Sequence, residues 1–157
     1  MCIVIDPPVF ISIFKKSDAD HDDFVPILNF INQNDGEFAI GGSDYKRELI
    51  KLGTIIKAVL EYEKKGRLKK ISDDEVDEKK IFLKRIETSP DFDDAHLIAL
   101  VILSRSSVVC TKDKRAHRFI KCRKFYEKDN LCRPSIYTDS QHVDLLRKKK
   151  QKHSSGR

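Results

Sequence analysis

The apolar positions of the chain alternate between short continuous runs and longer stretches with a helical period. Short runs rich in β-branched residues and bounded by turn residues are typical of buried strands. The predicted strands are CIVI (2–5), EFAI (37–40), RLKKI (67–71) and SVVC (107–110), and beyond Pro134 only SIY (135–137) is expected to be ordered. Strands that alternate with helices predict an α/β fold, a three-layer α/β/α sandwich with a central parallel sheet.

Helical patterns fill the intervals between these strands. A capping box from Ser72 to Glu75 opens one amphipathic helix, which is expected to last to about Glu87. Ser43 can cap a long helix that Gly66 closes. The other predicted helices are VFISIFKK (9–16), DDFVPILNFINQ (22–33), the wholly apolar AHLIALVIL (95–103) and the basic KRAHRFIKCRKFY (114–126).

The 157 residues fit one domain, 1–137, followed by a basic tail, 138–157, that is expected to be disordered. No window approaches the about 20 apolar residues that cross a bilayer. The opening MCIVIDPPVF also lacks the basic start of a signal peptide. We therefore expect a cytoplasmic protein with no membrane partner. The four cysteines lack the spacing of a zinc site, which favours reduced thiols.

Charge is unevenly distributed along the chain. Residues 1–111 carry 16 Lys and Arg against 20 Asp and Glu, a net charge of −4. Residues 112–157 carry 15 against 5, a net charge of +10. A basic C-terminal third beside an acidic body is typical of a protein that holds a polyanion. A solvated surface with an unstructured tail explains the charge equally well.

Carboxylates stand where the predicted elements meet. Asp6 and Asp113 follow two of the buried strands, Asp94 opens the apolar helix, and Glu48 lies near the start of a helix that follows a strand. In an open parallel sheet these positions share one edge. Clustered carboxylates repel one another unless a cation neutralises them, and hard oxygen ligands suit Mg²⁺ or Mn²⁺. The pattern predicts a metal site built by these four acids.

Each acid alone also has an ordinary structural interpretation. Glu48 on a helix flank would usually be a solvated charge. Asp93 and Asp94 are both candidates to cap the apolar helix, and Asp93 is the expected cap. Glu37 and Asp44 lie near Glu48 and are the second choices for its role. The conjunction of four acids at four element ends is what favours a functional site.

Four stretches together resemble the PIN-domain nucleases. They are IVIDPPVFISIF (3–14), GGSDYKREL (41–49), DDAHLIAL (93–100) and VVCTKDKR (108–115). The likeness covers about residues 2–125 and is closer to stand-alone bacterial PIN proteins than to the toxins of toxin–antitoxin pairs. It implies an α/β/α sandwich that cleaves RNA, or less often flapped DNA, with Mg²⁺ or Mn²⁺. It also raises a homodimer and an inhibitory protein partner as expectations.

The resemblance gives each acid a catalytic and metal-binding role. The family's four acids are matched, in chain order, by Asp6, Glu48, Asp94 and Asp113. Thr111 would match the hydroxyl that orients the fourth acid. Pro8 stands where the family usually has Asn or Ser, which removes a polar neighbour from the first motif. The implied chemistry is metal-assisted hydrolysis of a phosphodiester, leaving 5′-phosphate and 3′-hydroxyl ends.

Basic and aromatic residues follow the last acid. The cations expected to hold a phosphate backbone are Lys112, Lys114, Arg115 and Arg118. Phe125 and Tyr126 either stack on unpaired bases or belong to the core, which is the commoner place for aromatics. The histidines lack spaced partners and are expected to pack or to face solvent, although His96 lies close to Asp94.

Three other classes of protein were weighed against the nuclease. A phosphatase of the haloacid dehalogenase type requires Asp-x-Asp after its first strand, where this chain has Asp6-Pro7-Pro8. A response-regulator receiver requires an acceptor Asp after its third strand, and no middle strand here ends that way. A PIN-like module that binds RNA without cutting it stays open because of Pro8. Metal-dependent cleavage distinguishes it from the nuclease.

Overall fold

The computed structural model describes residues 1–33 and 36–147 of the chain. Asn34 and Asp35, for which the Asn-Asp-Gly sequence predicts a turn, and residues 148–157 of the basic tail lie outside the described residues. In the part that is described, no helix has the length and apolar character needed to cross a bilayer. All four cysteines are free thiols.

Five parallel strands form the central sheet. They are β1 (Cys2–Ile5), β2 (Glu37–Ile40), β3 (Leu68–Lys70), β4 (Val108–Cys110) and β5 (Ser135–Tyr137). Their order across the sheet is β3-β2-β1-β4-β5, and helices flank the sheet. The predicted α/β class and the predicted three-layer sandwich are therefore confirmed.

The helices fall into two sets that pack on the sheet. The α-helices are α1 (Val9–Phe14), α2 (His21–Asn32), α3 (Ser43–Ile50), α4 (Ile55–Lys64), α5 (Asp73–Ile86), α6 (Ala95–Ser104) and α7 (His117–Ile120). Short 3₁₀ helices are Lys114–Ala116, Arg123–Phe125, Glu127–Asp129 and Ser140–Leu146. α1 contacts α2 and α4, whereas α3, α5 and α6 contact one another. Right-handed crossovers that leave β1 in both directions place helices on both faces of the sheet, which gives two helical layers.

The central strand β1 lies at the switch point of the topology. It pairs with β2 on one side and with β4 on the other, and Ile3 is the partner of both Phe38 and Val108. Just past the end of β1, the N–H of Asp6 donates to the carbonyl oxygen of Cys110 at 2.9 Å. The residue after β1 is thereby held against the last residue of β4. Ligands of open parallel sheets bind in the crevice at this place.

The prediction of one long helix after Ser43 was wrong. A turn at residues 51–54 separates α3 from α4, and Gly53 in this turn has φ 65°. This left-handed conformation interrupts a right-handed helix, and glycine adopts it without steric cost. Gly42 takes the N-cap position, while the Ser43 hydroxyl donates to Asp77 of α5. Ser72, by contrast, is confirmed as the N-cap of α5, because its hydroxyl accepts a hydrogen bond from the N–H of Glu75 at 3.4 Å.

The predicted basic helix over 114–126 was also wrong, because the segment is broken into two 3₁₀ turns and the four-residue α7. The buried aromatics explain the breaks. In a continuous helix Phe125 would lie about 120° around the axis from Phe119. In the structure Phe92 contacts both rings, with centroids at 4.9 Å from Phe119 and 5.0 Å from Phe125. Phe125 and Tyr126 therefore belong to the core.

The segment after β5 continues over the surface of α2. Tyr137 donates a hydrogen bond through its hydroxyl to the carbonyl of Asp23 at 2.6 Å. The 3₁₀ helix Ser140–Leu146 packs against α2 and buries Leu146. Residues 138–147, which the sequence assigned to the tail, thus lie folded against this helix.

Candidate active site

The four predicted acids lie on the carboxyl edge of the sheet and form two groups. The strand-end group is Asp6, Thr111 and Asp113, which follow β1 and β4. The second group is named the helix-start group because Asp94 and His96 lie at the start of α6. It also contains Glu48, which lies in the last turn of α3, so the prediction that Glu48 lies near a helix start was wrong. Beyond the effect of burial, the charges of Asp94 and Glu48 raise the pKa of Asp6, and the charges of Asp113 and Glu48 raise the pKa of Asp94. The charge of Glu48 thus reaches both Asp6 and Asp94, whereas the charge of Asp113 reaches Asp94.

Thr111 joins the acids of the strand-end group. Its side chain is fully buried, and its N–H donates to the carbonyl of Tyr137 in the neighbouring strand at 3.2 Å. Its hydroxyl donates to Asp6 Oδ2 at 2.9 Å and accepts from the backbone N–H of Asp113 at 3.1 Å. One hydroxyl thus fixes the carboxylate of one acid and the backbone of the other.

Asp6 carries the largest electrostatic cost of the site. Its pKa is raised to about 6, mainly by burial and further by the carboxylates of Asp94 and Glu48, against the lowering effect of the hydrogen bond from Thr111 and the charge of His96. The ionised form of a carboxyl group with these neighbours is unfavourable unless a cation lies nearby. Perturbed carboxyl groups of this kind cluster at functional sites.

Asp94 does not use its side chain to cap α6. It occupies the N-cap position, but no side-chain cap hydrogen bond forms, and its backbone carbonyl accepts from the N–H groups of Leu97 and Ile98. The expectation that Asp93 caps this helix was wrong, because Asp93 is exposed and precedes the cap. Burial, then the charge of Asp93, raises the pKa of the Asp94 carboxyl.

Two contacts place Glu48 at the site. Three residues before it on α3, the fully buried Tyr45 donates its hydroxyl proton to the carbonyl of Ile5 at 2.6 Å, next to Asp6. The start of α3 is docked on α5, where Asp77 accepts from the N–H of Ser43 at 2.9 Å. Sequence reasoning missed Tyr45, since a tyrosine on the apolar face of a helix looks like any core residue.

The glycine that precedes α3 makes this docking close. Gly42 has φ 97°, and a Cβ atom there would lie 2.5 Å from Cγ1 of Val76 on α5. Only glycine fits both the backbone conformation and the space. The approach of α3 to α5, and with it the position of Glu48, depends on this residue.

His96 is the second residue that sequence reasoning undervalued. It is 7 % exposed, and its Nε2 lies 2.9 Å from Oε2 of Glu48. Burial lowers its pKa, but the hydrogen bond and charge of Glu48, together with the charges of Asp44 and Asp94, raise it overall. The expectation of simple packing is incomplete. The available signal was a polar residue two positions after Asp94 in an otherwise apolar helix.

The second choices for the role of Glu48 lie in other surroundings. Asp44 accepts hydrogen bonds from Lys80 and from Arg47, the latter at 2.8 Å. The hydrogen bond from Lys80 is the main cause that lowers the pKa of Asp44. Glu37 begins β2 and so lies at the opposite edge of the sheet. Glu48 is the acid that acts on both Asp6 and Asp94.

The predicted cations differ in how they are held. Lys112 donates to the Ser12 hydroxyl at 2.9 Å and to Asp20 at 3.2 Å, which ties the turn after β4 to the α1–α2 connection. Lys114 and Arg115 are exposed beside the strand-end group. Arg118 is exposed as well, pairs with Asp91 at 3.2 Å and lies over the ring of Phe119.

The donor chemistry suits a hard divalent cation. Within residues 1–33 and 36–147, no three His, Cys, Asp or Glu side chains converge closely enough to hold a metal ion by themselves. Mg²⁺, however, is usually bound by one or two carboxylates and keeps several waters. Asp6 and Asp94, whose pKa values are raised, are carboxylates that could bind such an ion together with its waters.

The chain matches no protein-family model and no curated protein. The resemblance to PIN-domain nucleases therefore stays a prediction based on the four sequence stretches.

Proposed function

We propose that the protein is a metal-dependent nuclease of the PIN type that hydrolyses phosphodiester bonds in RNA. One observation carries the proposal. At the switch point of a parallel sheet, burial with the charges of Asp94 and Glu48 raises the pKa of Asp6 to about 6, and burial with the charges of Asp93, Asp113 and Glu48 raises the pKa of Asp94. Asp6 and Asp94 form no ion pair with any described residue, unlike Asp44, which pairs with Lys80 and Arg47. Of the other two acids, Asp113 pairs with Arg115 at 3.6 Å and Glu48 with His96 at 2.9 Å.

The four acids Asp6, Asp94, Asp113 and Glu48 would hold Mg²⁺ or Mn²⁺ in part through waters on the ion, because no three donors converge among the described residues. When bound, such a cation polarises the scissile phosphate and lowers the pKa of a bound water. Thr111 keeps Asp6 in place and fixes the backbone of Asp113 through one hydroxyl. Because the raised pKa of Asp6 shows that its ionised form is disfavoured, a nearby cation would stabilise the Asp6 carboxylate.

The substrate is inferred from the charge around Asp113. Lys114, Arg115 and Arg118 are exposed in the segment that follows this acid and are suited to contact phosphates on either side of the cut. Arg115 also pairs with Asp113 at 3.6 Å, and Arg118 with Asp91 at 3.2 Å. The net charge of +6 favours a polyanionic substrate. RNA also fits the cytoplasmic location that the sequence predicts. Single-stranded RNA is our first choice, and DNA of the same sequence is the comparison.

The test compares Asp94→Asn with Asp93→Asn, which removes the neighbouring exposed carboxylate. Each variant and the parent protein are incubated with a mixed single-stranded RNA, in Mn²⁺ and in EDTA. We expect the parent and Asp93→Asn to cut only with Mn²⁺, leaving 5′-phosphate ends, and Asp94→Asn not to cut. Cutting in EDTA, or equal cutting by both variants, would contradict the proposal.

A second candidate function is RNA binding without cleavage. Pro8 in the first motif and the lack of three converging donors among the described residues favour it. A pure binder would retain RNA equally with Mn²⁺ and with EDTA, and the Asp94→Asn substitution would leave its affinity unchanged. The same set of reactions, analysed by gel shift, separates the two candidates.

A further inference from the structure

His96 makes a contact that packing alone does not require. It lies on α6, where the flanking residues Ala95, Leu97 and Ile98 are buried and apolar. A buried imidazole costs free energy unless its nitrogens find partners, so an apolar side chain would fill this position more cheaply. Its Nε2 instead lies 2.9 Å from Oε2 of Glu48 on α3. The contact joins two helices that carry one acid each.

The hydrogen bond divides the two oxygens of Glu48. Oε2 accepts from His96, while Oε1 makes no hydrogen bond to any residue that the structure describes. Glu48 is 37 % exposed and sits at the end of a side chain with three rotatable bonds. Without a partner, such a carboxylate would sample several rotamers, and ordering it costs conformational entropy. The imidazole, held within the apolar helix, limits this freedom in advance.

We propose that His96 is a positioning residue, whose Nε2–H holds Oε2 of Glu48 so that Oε1 stays available to a divalent cation. Besides Glu48, at most one further carboxylate, that of Asp6 or Asp94, would bind this cation directly, and waters would complete its ligands. This inference rests on the proposed function. Groups that orient metal-binding carboxylates typically account for 10- to 100-fold in metal affinity. His96 touches neither the cation nor the substrate, and it acts through Glu48 alone.

The test measures Mn²⁺ affinity from the electron paramagnetic resonance signal of free Mn²⁺. In His96→Gln the amide nitrogen reaches roughly to the position of Nε2, whereas in His96→Asn it reaches only to that of Nδ1. We expect Gln to bind Mn²⁺ within about threefold of the parent protein, and Asn and Phe to bind about 10- to 100-fold more weakly. His142→Ala is the matched control. His142 lies in the 3₁₀ helix Ser140–Leu146 that packs against α2, and its Nδ1 accepts a hydrogen bond from the N–H of Thr138 at 3.1 Å.

A double-mutant cycle separates positioning from general damage to the fold. In a Glu48→Ala background, His96→Asn is expected to change Mn²⁺ affinity by less than about twofold, because its effect passes through Glu48. Thermal melts record whether each variant folds. Equal Mn²⁺ affinity of the parent, His96→Asn and His96→Phe overturns this inference and leaves the proposed nuclease intact. A parent protein that binds no Mn²⁺ at millimolar concentrations overturns the proposed function as well.

Discussion

The strand-end group and the helix-start group reach the same edge by different means. Asp6 and Thr111 are fixed by backbone hydrogen bonds to neighbouring strands, through Cys110 and Tyr137. Glu48 and Asp94 lie on separate helices, and the side-chain contact between His96 and Glu48 joins them. The sheet determines the first group, whereas the second depends on individual side chains.

The two groups also differ in electrostatic cost. The strand-end group contains the acid whose pKa is raised to about 6, with burial as the main cause. The helix-start group contains its own compensating base, His96. The buried Asp6 of the strand-end group thus lowers the stability of the fold when it is ionised. The side chains of the helix-start group are held by fewer backbone contacts. Substitutions in the strand-end group should change both the free energy of unfolding and the rate of RNA cleavage. Substitutions in the helix-start group should mainly change the affinity for Mn²⁺.

The largest expected effect is on cleavage by the strand-end group. Asp6→Asn removes a charge that would stabilise a cation, and a loss of about 4 kcal/mol in transition-state stabilisation corresponds to about 10³-fold in rate. Single-turnover cleavage of RNA in Mn²⁺ measures it. Asp74→Asn, an exposed carboxylate on α5, is the control and should cut like the parent protein. If Asp6→Asn kept a tenth of the activity, Asp6 would not be a metal ligand.

The same substitution should stabilise the metal-free protein. The Asp6 pKa rises from 3.8 in the unfolded chain to about 6 in the fold, so the unfolded chain ionises first and stability falls as pH rises from about 4 to about 6. Asp6→Asn removes this loss. We expect a gain of up to about 3 kcal/mol at pH 7.5 and about 1 kcal/mol at pH 4.5. Urea denaturation at both pH values checks it, and an equal change at the two would argue against the electrostatic cause.

A smaller effect is expected from the hydroxyl that joins the strand-end group. Thr111→Val leaves the backbone N–H of Asp113 without its acceptor and Asp6 without its donor. The expected loss in unfolding free energy is about 1–2 kcal/mol. Thr111→Ser keeps the hydroxyl and serves as the control, so the two variants should differ in urea midpoint. Identical midpoints would mean that the hydroxyl contributes nothing to stability.

The smallest effect separates two lysines beside the same group. Lys112 is tied to Ser12 and Asp20, whereas Lys114 is exposed. Lys114→Gln should reduce the salt dependence of RNA binding by about 0.7 in log–log slope, the value for one single-strand phosphate contact. Lys112→Gln should leave the slope unchanged and lower the melting temperature instead. Binding titrations between 50 and 200 mM salt, roughly the range where such slopes are measured, test the pair. A reduced slope in Lys112→Gln together with an unchanged slope in Lys114→Gln would refute this distinction.

The sequence predicted what depends on strand ends and missed what depends on contacts between helices. Asp6 and Asp113 follow short apolar runs, and the carboxyl ends of parallel strands share an edge by geometry alone. The contact between His96 and Glu48 joins residues that are far apart in the chain, and no local pattern encodes it. Gly53 shows a related failure. The helical spacing of apolar residues continues past Gly53. The break in the helix follows from the left-handed backbone conformation of Gly53, which the spacing of apolar residues does not indicate.

The order of the strands also has a consequence for the protein while it is being made. β1 leaves the ribosome first, yet its partner β4 and the acid at residue 113 follow only after most of the chain. At about 5–20 residues per second, this delay is on the order of ten seconds. A growing chain beside ribosomal and messenger RNA therefore carries separated acids and no assembled centre. We expect nascent chains arrested near residue 100 to show no Mn²⁺-dependent cutting, in contrast to released chains. Cutting by arrested chains would show that the centre does not need β4.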